Sequence, residues 1–156
     1  MGPPARRVLI RDAAPTEAPA LEALQRRSSD VWAEYRAQLA AHPDAIELPQ
    51  AFIDNGWVRV ALDDGGTPIG FSVLIAGEDR VHELDGLFVE PSHMGRGVGR
   101  ALVHDAVARA AAGGGERIEV TAGPAQGFYE RVGFETIGAA QTRFGPAIRM
   151  ARALHA

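Results

Sequence analysis

The chain has 156 residues, of which 46% are apolar and 23% charged, with a formal net charge of -4. These are ordinary globular proportions with room for one sizeable hydrophobic core, and they exclude a large multidomain machine and wholesale disorder. All 16 basic residues are Arg and there is no Cys, which removes disulfides, thiolate chemistry, Cys-bound zinc, a Schiff-base lysine and a P-loop lysine.

Arg7 to Arg11 reads as a short strand, after which Pro15 opens a helical stretch in which Leu21, Leu24, Val31, Trp32 and Tyr35 recur at helical spacing. His42-Pro43-Asp44 breaks the pattern, and Leu48 to Ile53 forms another helical turn before Asn55-Gly56. Trp57 to Leu62 alternates as a strand, Asp63-Asp64-Gly65-Gly66 turns, and Pro68 to Ala76 completes a hairpin. Val81 to Val89 is a third extended run, followed by a glycine-rich loop and a helix over Val98 to Ala112 that Gly113-Gly114-Gly115 ends. Arg117 to Thr121 is a strand, Gln126 to Arg131 a short helix, and Phe134 to Ile137 and Ala147 to Ala151 are the last strands. The order predicts one mixed α/β domain over residues 1–156, its core running from about 7 to 151.

No apolar run approaches the roughly 20 residues a membrane helix needs. Met1 to Arg11 lacks a basic start followed by an apolar core, so the expected compartment is the cytoplasm. Residues 1 to 80 hold 8 Arg against 12 Asp plus Glu, whereas residues 81 to 156 hold 8 of each. An acidic chain without a basic stripe is poorly suited to nucleic acid, because phosphate neutralisation supplies most of that affinity.

The loop joining the third extended run to the long helix reads Met94-Gly95-Arg96-Gly97-Val98-Gly99-Arg100. Glycines there let backbone N–H groups approach an anion while the helix dipole adds positive potential, so a phosphate or pyrophosphate is the expected ligand, with Arg96 and Arg100 at its edge. A glycine-rich turn that merely joins two elements is the plainer reading of so short a pattern. A dinucleotide fingerprint is disfavoured: the spacing is G-x-G-x-G, it lies mid-chain, and it follows a hairpin.

From about Arg7 to Met150 the chain resembles the GNAT superfamily of N-acetyltransferases. Two linked segments carry the likeness: Leu87-Phe88-Val89-Glu90-Pro91 leading into Gly95 to Leu102, and Gly127-Phe128-Tyr129-Glu130-Arg131-Val132-Gly133-Phe134, about 30 residues on. The resemblance implies a mixed, mostly antiparallel sheet of six to seven strands flanked by helices and splayed at an acetyl-CoA site. It also implies acetyl transfer from acetyl-CoA to a primary amine by direct attack in a ternary complex. Leu87, Phe88, Val89, the loop from Met94 to Arg100, and Phe128 would then hold the acyl donor, with no metal. Two positions depart from the pattern. Met94 stands where the family commonly has Gln or Arg, although its N–H remains available to a phosphate. Pro124 falls near a usual Asn, so one contact should be missing.

An alkylamine has pKa of about 10 and is mostly protonated at pH 7, so a general base is expected. Glu83 is the first choice, on the strand where the resembled family often places a Glu. Asp85, two residues on and expected on the same side of the strand, is the second. Both would serve equally as solvent-facing residues or Arg partners. Tyr129 matches the family's general acid, and backbone N–H groups at the splayed strand end would stabilise an oxyanion. His82 and His93 read as packing or surface residues. Trp32, Tyr35, Trp57 and Phe144 are candidate acceptor-site walls as well as core candidates. The acidic first half favours a small cationic amine or a peptide amine as partner. A homodimer is one arrangement open to the fold, and a non-catalytic acyl-CoA sensor is the alternative function.

Overall fold

The computed structural model describes residues 8–143 and 145–154. The strands Leu9–Asp12 (β1), Val58–Leu62 (β2), Pro68–Ala76 (β3), Val81–Val89 (β4), Arg117–Ala122 (β5), Glu135–Thr142 (β6) and Gly145–Ala153 (β7) form one sheet in the order β1-β2-β3-β4-β5-β7-β6. Every neighbouring pair is antiparallel except β4 and β5. The helices are Ala18–Ser29 (α1), Ala33–Ala41 (α2), Gln50–Asp54 (α3), Val98–Ala112 (α4) and Gln126–Arg131 (α5). This is the mixed, mostly antiparallel architecture that the sequence implies.

The long helix and the short late helix keep the limits read from the sequence, because glycines mark their ends: Gly97 caps α4 at φ +87° and Gly113 closes it. The early helical stretch is two helices, parted at Asp30–Trp32, where Trp32 turns extended (φ -98°, ψ 114°). The first strand begins at Leu9, and the expected start at Arg7 lies outside the described residues. The last two strands are longer than expected, because β6 and β7 pair along a register from Glu135↔Ala151 to Thr142↔Gly145.

The central strand β3 is buried on both faces from Ile69 to Leu74. Phe71 and Val73 of β3 pack with Leu21 and Leu24 of α1 on one face. Ile69 of the same strand meets Val98 and Leu102 of α4. Leu84, Ile118, Val120 and Met150 join Val103, Ala106 and Ala110 of α4 with Phe134 in a second core. The seat of α4 depends on a missing side chain. A Cβ on Gly70 would lie 2.9 Å from Phe88 O, 3.1 Å from Val98 Cγ1 and 3.2 Å from Leu102 Cδ1. We therefore expect Gly70→Ala to destabilise the protein by about 1–3 kcal/mol in chemical denaturation, as overpacking against backbone does. An unchanged midpoint would show that the helix seats with room to spare.

Candidate active site

The sheet opens at its centre. β4 and β5 pair only at Val81↔Arg117, His82↔Ile118 and Glu83↔Glu119. Beyond Glu83 the two strands diverge, and a cavity of about 560 Å³ fills the fork. Its walls include Leu84 to Phe88 of β4, Val120 to Ala125 from the end of β5, Tyr129 of α5, and Trp32 and Tyr35 of the first helical segment. A bulge helps to make the fork. Val73 lies opposite Gly86 while its neighbour Leu74 lies opposite Leu84, so Asp85 is an extra residue in β4.

That bulge corrects the expectation that Glu83 and Asp85 share a side and surroundings. Asp85 lines the cavity, whereas Glu83 is absent from its walls. Arg149 of β7 holds the Glu83 carboxylate through two N–H donors, at 3.0 and 2.9 Å, and also donates to Glu119 (2.7 Å) and Thr121 Oγ1 (2.7 Å). Arg117 completes this ladder on Glu119 at 2.6 Å. The Arg117 and Arg149 guanidiniums pull the Glu119 carboxyl below its ordinary pKa. Asp85 has no such partner among the described residues. It is open to solvent at the cavity mouth, yet the surrounding walls exclude enough water to raise its carboxyl above the ordinary value. It is the only charged side chain among the described residues that line the cavity.

Tyr129 is 7% exposed and packs against Phe128 (centroids 5.2 Å) and Phe134 (5.5 Å, edge-on). Burial, with a smaller contribution from Tyr35, pushes its phenol well above the ordinary tyrosine value, so it stays protonated through the physiological range. Tyr35 lies over the end of β5: a Cβ on Gly123 would come within 2.6 Å of its hydroxyl oxygen. Pro124, with no N–H to offer, lines the wall beside it.

Where the fork opens, the chain passes through the short turn Pro91–His93 into the glycine-rich loop. Gly95 and Gly97 adopt φ +78° and +87°, the left-handed region that glycine reaches without strain. From Gly95 to Arg100 no backbone N–H has an acceptor among the described residues; the first helical bond is Ala101 N–H to Gly97 O at 3.0 Å. Six consecutive donors at the positive end of a fifteen-residue helix make an anion cradle. Met94 does not contribute to it: its N–H turns back to Pro91 O at 3.3 Å. Leu87 and Phe88 line the cavity, the Val89 N–H donates to Ser28 Oγ at 3.4 Å, and the Phe128 ring lies against Gly99.

Of the other sequence candidates, His82 is buried beside Gly113 and Gly115 at the end of α4, and the His93 ring lies 3.1 Å from Ser92 Oγ. Trp57 packs at a tilt against Phe52, with ring centroids 5.3 Å apart, and does not line the cavity. Phe144 lies outside the described residues. Sequence reasoning missed Ser28, a polar residue in the last turn of an apolar-faced helix. It missed Arg149 too, although Arg117, Glu119 and Thr121 alternate with the buried Ile118, Val120 and Ala122 and so mark a polar sheet face.

Comparison with known proteins agrees with this geometry. Residues 20–134 match the family model of the acetyltransferase (GNAT) family, and the chain belongs to that family. It is similar to the peptidyl-lysine N-acetyltransferase YjaB of Salmonella typhimurium, 32% identical over 129 residues that cover 83% of this chain and 84% of that protein. The solution structure of apo-form YjaB from Escherichia coli has a TM-score of 0.69 at 28% identity, covering 94% of this chain and 97% of that one. The fold is also that of PaiA N-acetyltransferase from Thermoplasma acidophilum in complex with coenzyme A (TM-score 0.73, 20% identity, 95% and 99% coverage). The protein is therefore an acyltransferase of the N-acetyltransferase kind. Among the described residues, no helix is long and apolar enough to cross a membrane.

The ladder of Arg149 with Glu83 and Glu119 gives a direct test of the fork. Arg149→Leu should lower stability at neutral pH by on the order of 1 kcal/mol, since the pairs are partly exposed and screened. Glu119 has a depressed pKa in the folded chain, so its contribution is present above the ordinary carboxylate range and is lost as pH falls through the folded value. Denaturation of both proteins from pH 7 to 3 should show the gap closing, and a pH-independent gap would refute the electrostatic account.

Proposed function

We propose that the protein transfers the acetyl group of acetyl-CoA to a primary amine, with Asp85 as general base and Tyr129 as general acid. The observation that carries this reading is the placing of a lone, partly desolvated carboxylate and a buried phenol on the walls of one cavity, at the fork of β4 and β5. The coenzyme A bound to the structurally similar PaiA protein supports the acyl donor, and so does the fit of the loop, whose free N–H groups suit a pyrophosphate. The thioester supplies the activated acetyl group.

Asp85 attracts the acceptor as an ammonium ion and takes one proton from it, directly or through water, and the lone pair so freed on nitrogen then forms the bond to the acetyl carbon. The carbon–sulfur bond breaks, the Tyr129 hydroxyl gives its proton to the departing thiolate, and the second proton lost by nitrogen passes through water to restore the phenol. Glu83, locked by Arg149, serves as a structural ion pair in this reading. A cavity whose only charge among the described residues is negative favours a cationic acceptor. The peptidyl-lysine specificity in the name of the similar YjaB protein points to a lysine side chain on a peptide. The chain has no lysine, so its own side chains offer no competing ε-amine.

The test is acetyl-CoA turnover with a lysine-containing peptide. Asp85→Asn should lower kcat/KM by about 10²-fold or more, the usual range for a lost proton-transfer group, while acetyl-CoA affinity is unchanged. Because the Asp85 pKa is raised, the wild-type kcat/KM should fall with decreasing pH at a point above the ordinary value of about 4, and that limb should vanish in the variant. Tyr129→Phe should reduce kcat and spare donor binding. Acetyl-CoA binding without turnover on any amine would instead favour an acyl-CoA sensor.

A further inference from the structure

The two edges of the sheet are finished differently. β1, at one edge, is four residues long and carries Arg11 and Asp12, which are held by Glu17 and Arg59. A short strand with charged side chains is a poor template for another chain. β6, at the other edge, is eight residues long, and only Ala140 in it is even partly buried. Ile137 is 55% exposed. Residues 136–142 include no charged side chain and no proline, so most of the usual guards of an open edge are missing. The one irregularity in the strand, at Ile137, lies near its start and leaves residues 138–142 in regular register with β7.

That register shows where the backbone groups point. Gln141 lies opposite Pro146, which has no N–H, and Thr142 pairs with Gly145 across the turn. The Gln141 pair is therefore a non-hydrogen-bonded one, which turns its N–H and C=O, and by the strand period those of Ala139, toward the open edge. A second β6 laid antiparallel about a two-fold axis at Ala140 sets Ala139 of each copy opposite Gln141 of the other, and the outward groups satisfy one another. The charges agree with this arrangement. Glu135 has no cation within 4.0 Å among the described residues. The two-fold brings Arg143 of one copy to the Glu135 end of the other, a diagonal that a long side chain can span. The pair of Arg143 with Asp44 of its own chain is 3.5 Å long and exposed, so exchanging it costs little.

We propose that β6 is a homodimerisation edge, which pairs with β6 of a second copy of this chain to make one continuous sheet. Each chain offers one such edge, so the assembly closes at two copies. Strand pairing over so short a run buries little surface, and the dimer is of the weak, concentration-dependent kind. The same hairpin supplies Thr142, Pro146 and Ala147 to the wall of the cavity, yet the pairing does not rest on the acetyl-transfer reading.

Sedimentation velocity of the full chain from about 1 to 200 µM, where weak association shows, should give a monomer–dimer equilibrium with no larger species. The chain has no Cys, so Ala140→Cys places a single thiol on the axis. Cα atoms of a non-hydrogen-bonded pair are about 4.5 Å apart, close enough for a disulfide. Mild oxidation should link this variant into a dimer much faster than Leu9→Cys at the other edge. Gln141→Pro removes an outward N–H and none that β7 uses, so it should abolish the dimer while the far-UV spectrum stays that of the wild type. Glu135→Arg should weaken the dimer about tenfold, and adding Arg143→Glu should restore it, a rescue that a misfolded variant cannot show. A monomer throughout the concentration range, or a dimer that survives Gln141→Pro, would overturn the proposal.

Discussion

Everything distinctive in this molecule depends on a short stretch of parallel pairing. β4 and β5 are joined through three residue pairs and then separate. Parallel pairs are slightly weaker than antiparallel ones, so so short a seam needs help from outside the ladder. The hydrophobic core beneath α4 provides part of it, through Leu84, Ile118 and Val120. The Arg149 ladder provides the rest, joining β4, β5 and β7 across the opposite face at the last paired position. Where the strands part, backbone that would otherwise be hidden inside a sheet becomes the wall of a cavity.

The same geometry sorts charge by location. Carboxylates near the seam are neutralised by guanidiniums, and they hold the sheet together. A single carboxylate, Asp85, is displaced by the bulge into the cavity, where poor solvation changes its proton affinity. The loop at the open end carries the opposite potential, with peptide N–H groups at a helix start that have no backbone acceptor among the described residues. A net charge of -4 is therefore no obstacle to binding a polyanion, because the relevant donors belong to the main chain.

Much of this was legible in the sequence. Gly97 and Gly113 mark α4 to the residue, since a left-handed cap and a helix stop are what glycine supplies. The two linked motifs led to an expected acyl-donor site, and of their residues Leu87, Phe88 and Tyr129 line one cavity. The division of the first helix at Asp30–Trp32 was not legible, because the apolar spacing runs through the break. The length of β6 was underestimated, as Gly138, Ala139 and Ala140 are weak strand formers and only pairing with β7 holds them extended. The different surroundings of Glu83 and Asp85 were hidden for a sharper reason. A strict period of two puts them together, and nothing in His-Glu-Leu-Asp-Gly announces an extra residue. Glu83 meets its partner 66 positions away, a contact that only the fold creates.

The seam also acts as a depth gauge. The fork ends at Glu83 and Glu119, where β4 and β5 pair and Arg149 bridges their carboxylates. A group reaching past that point would have to break backbone pairs and pull apart the ion ladder behind them. The reach of the slot is thus set by residue register, a whole-number quantity that side-chain motion cannot adjust.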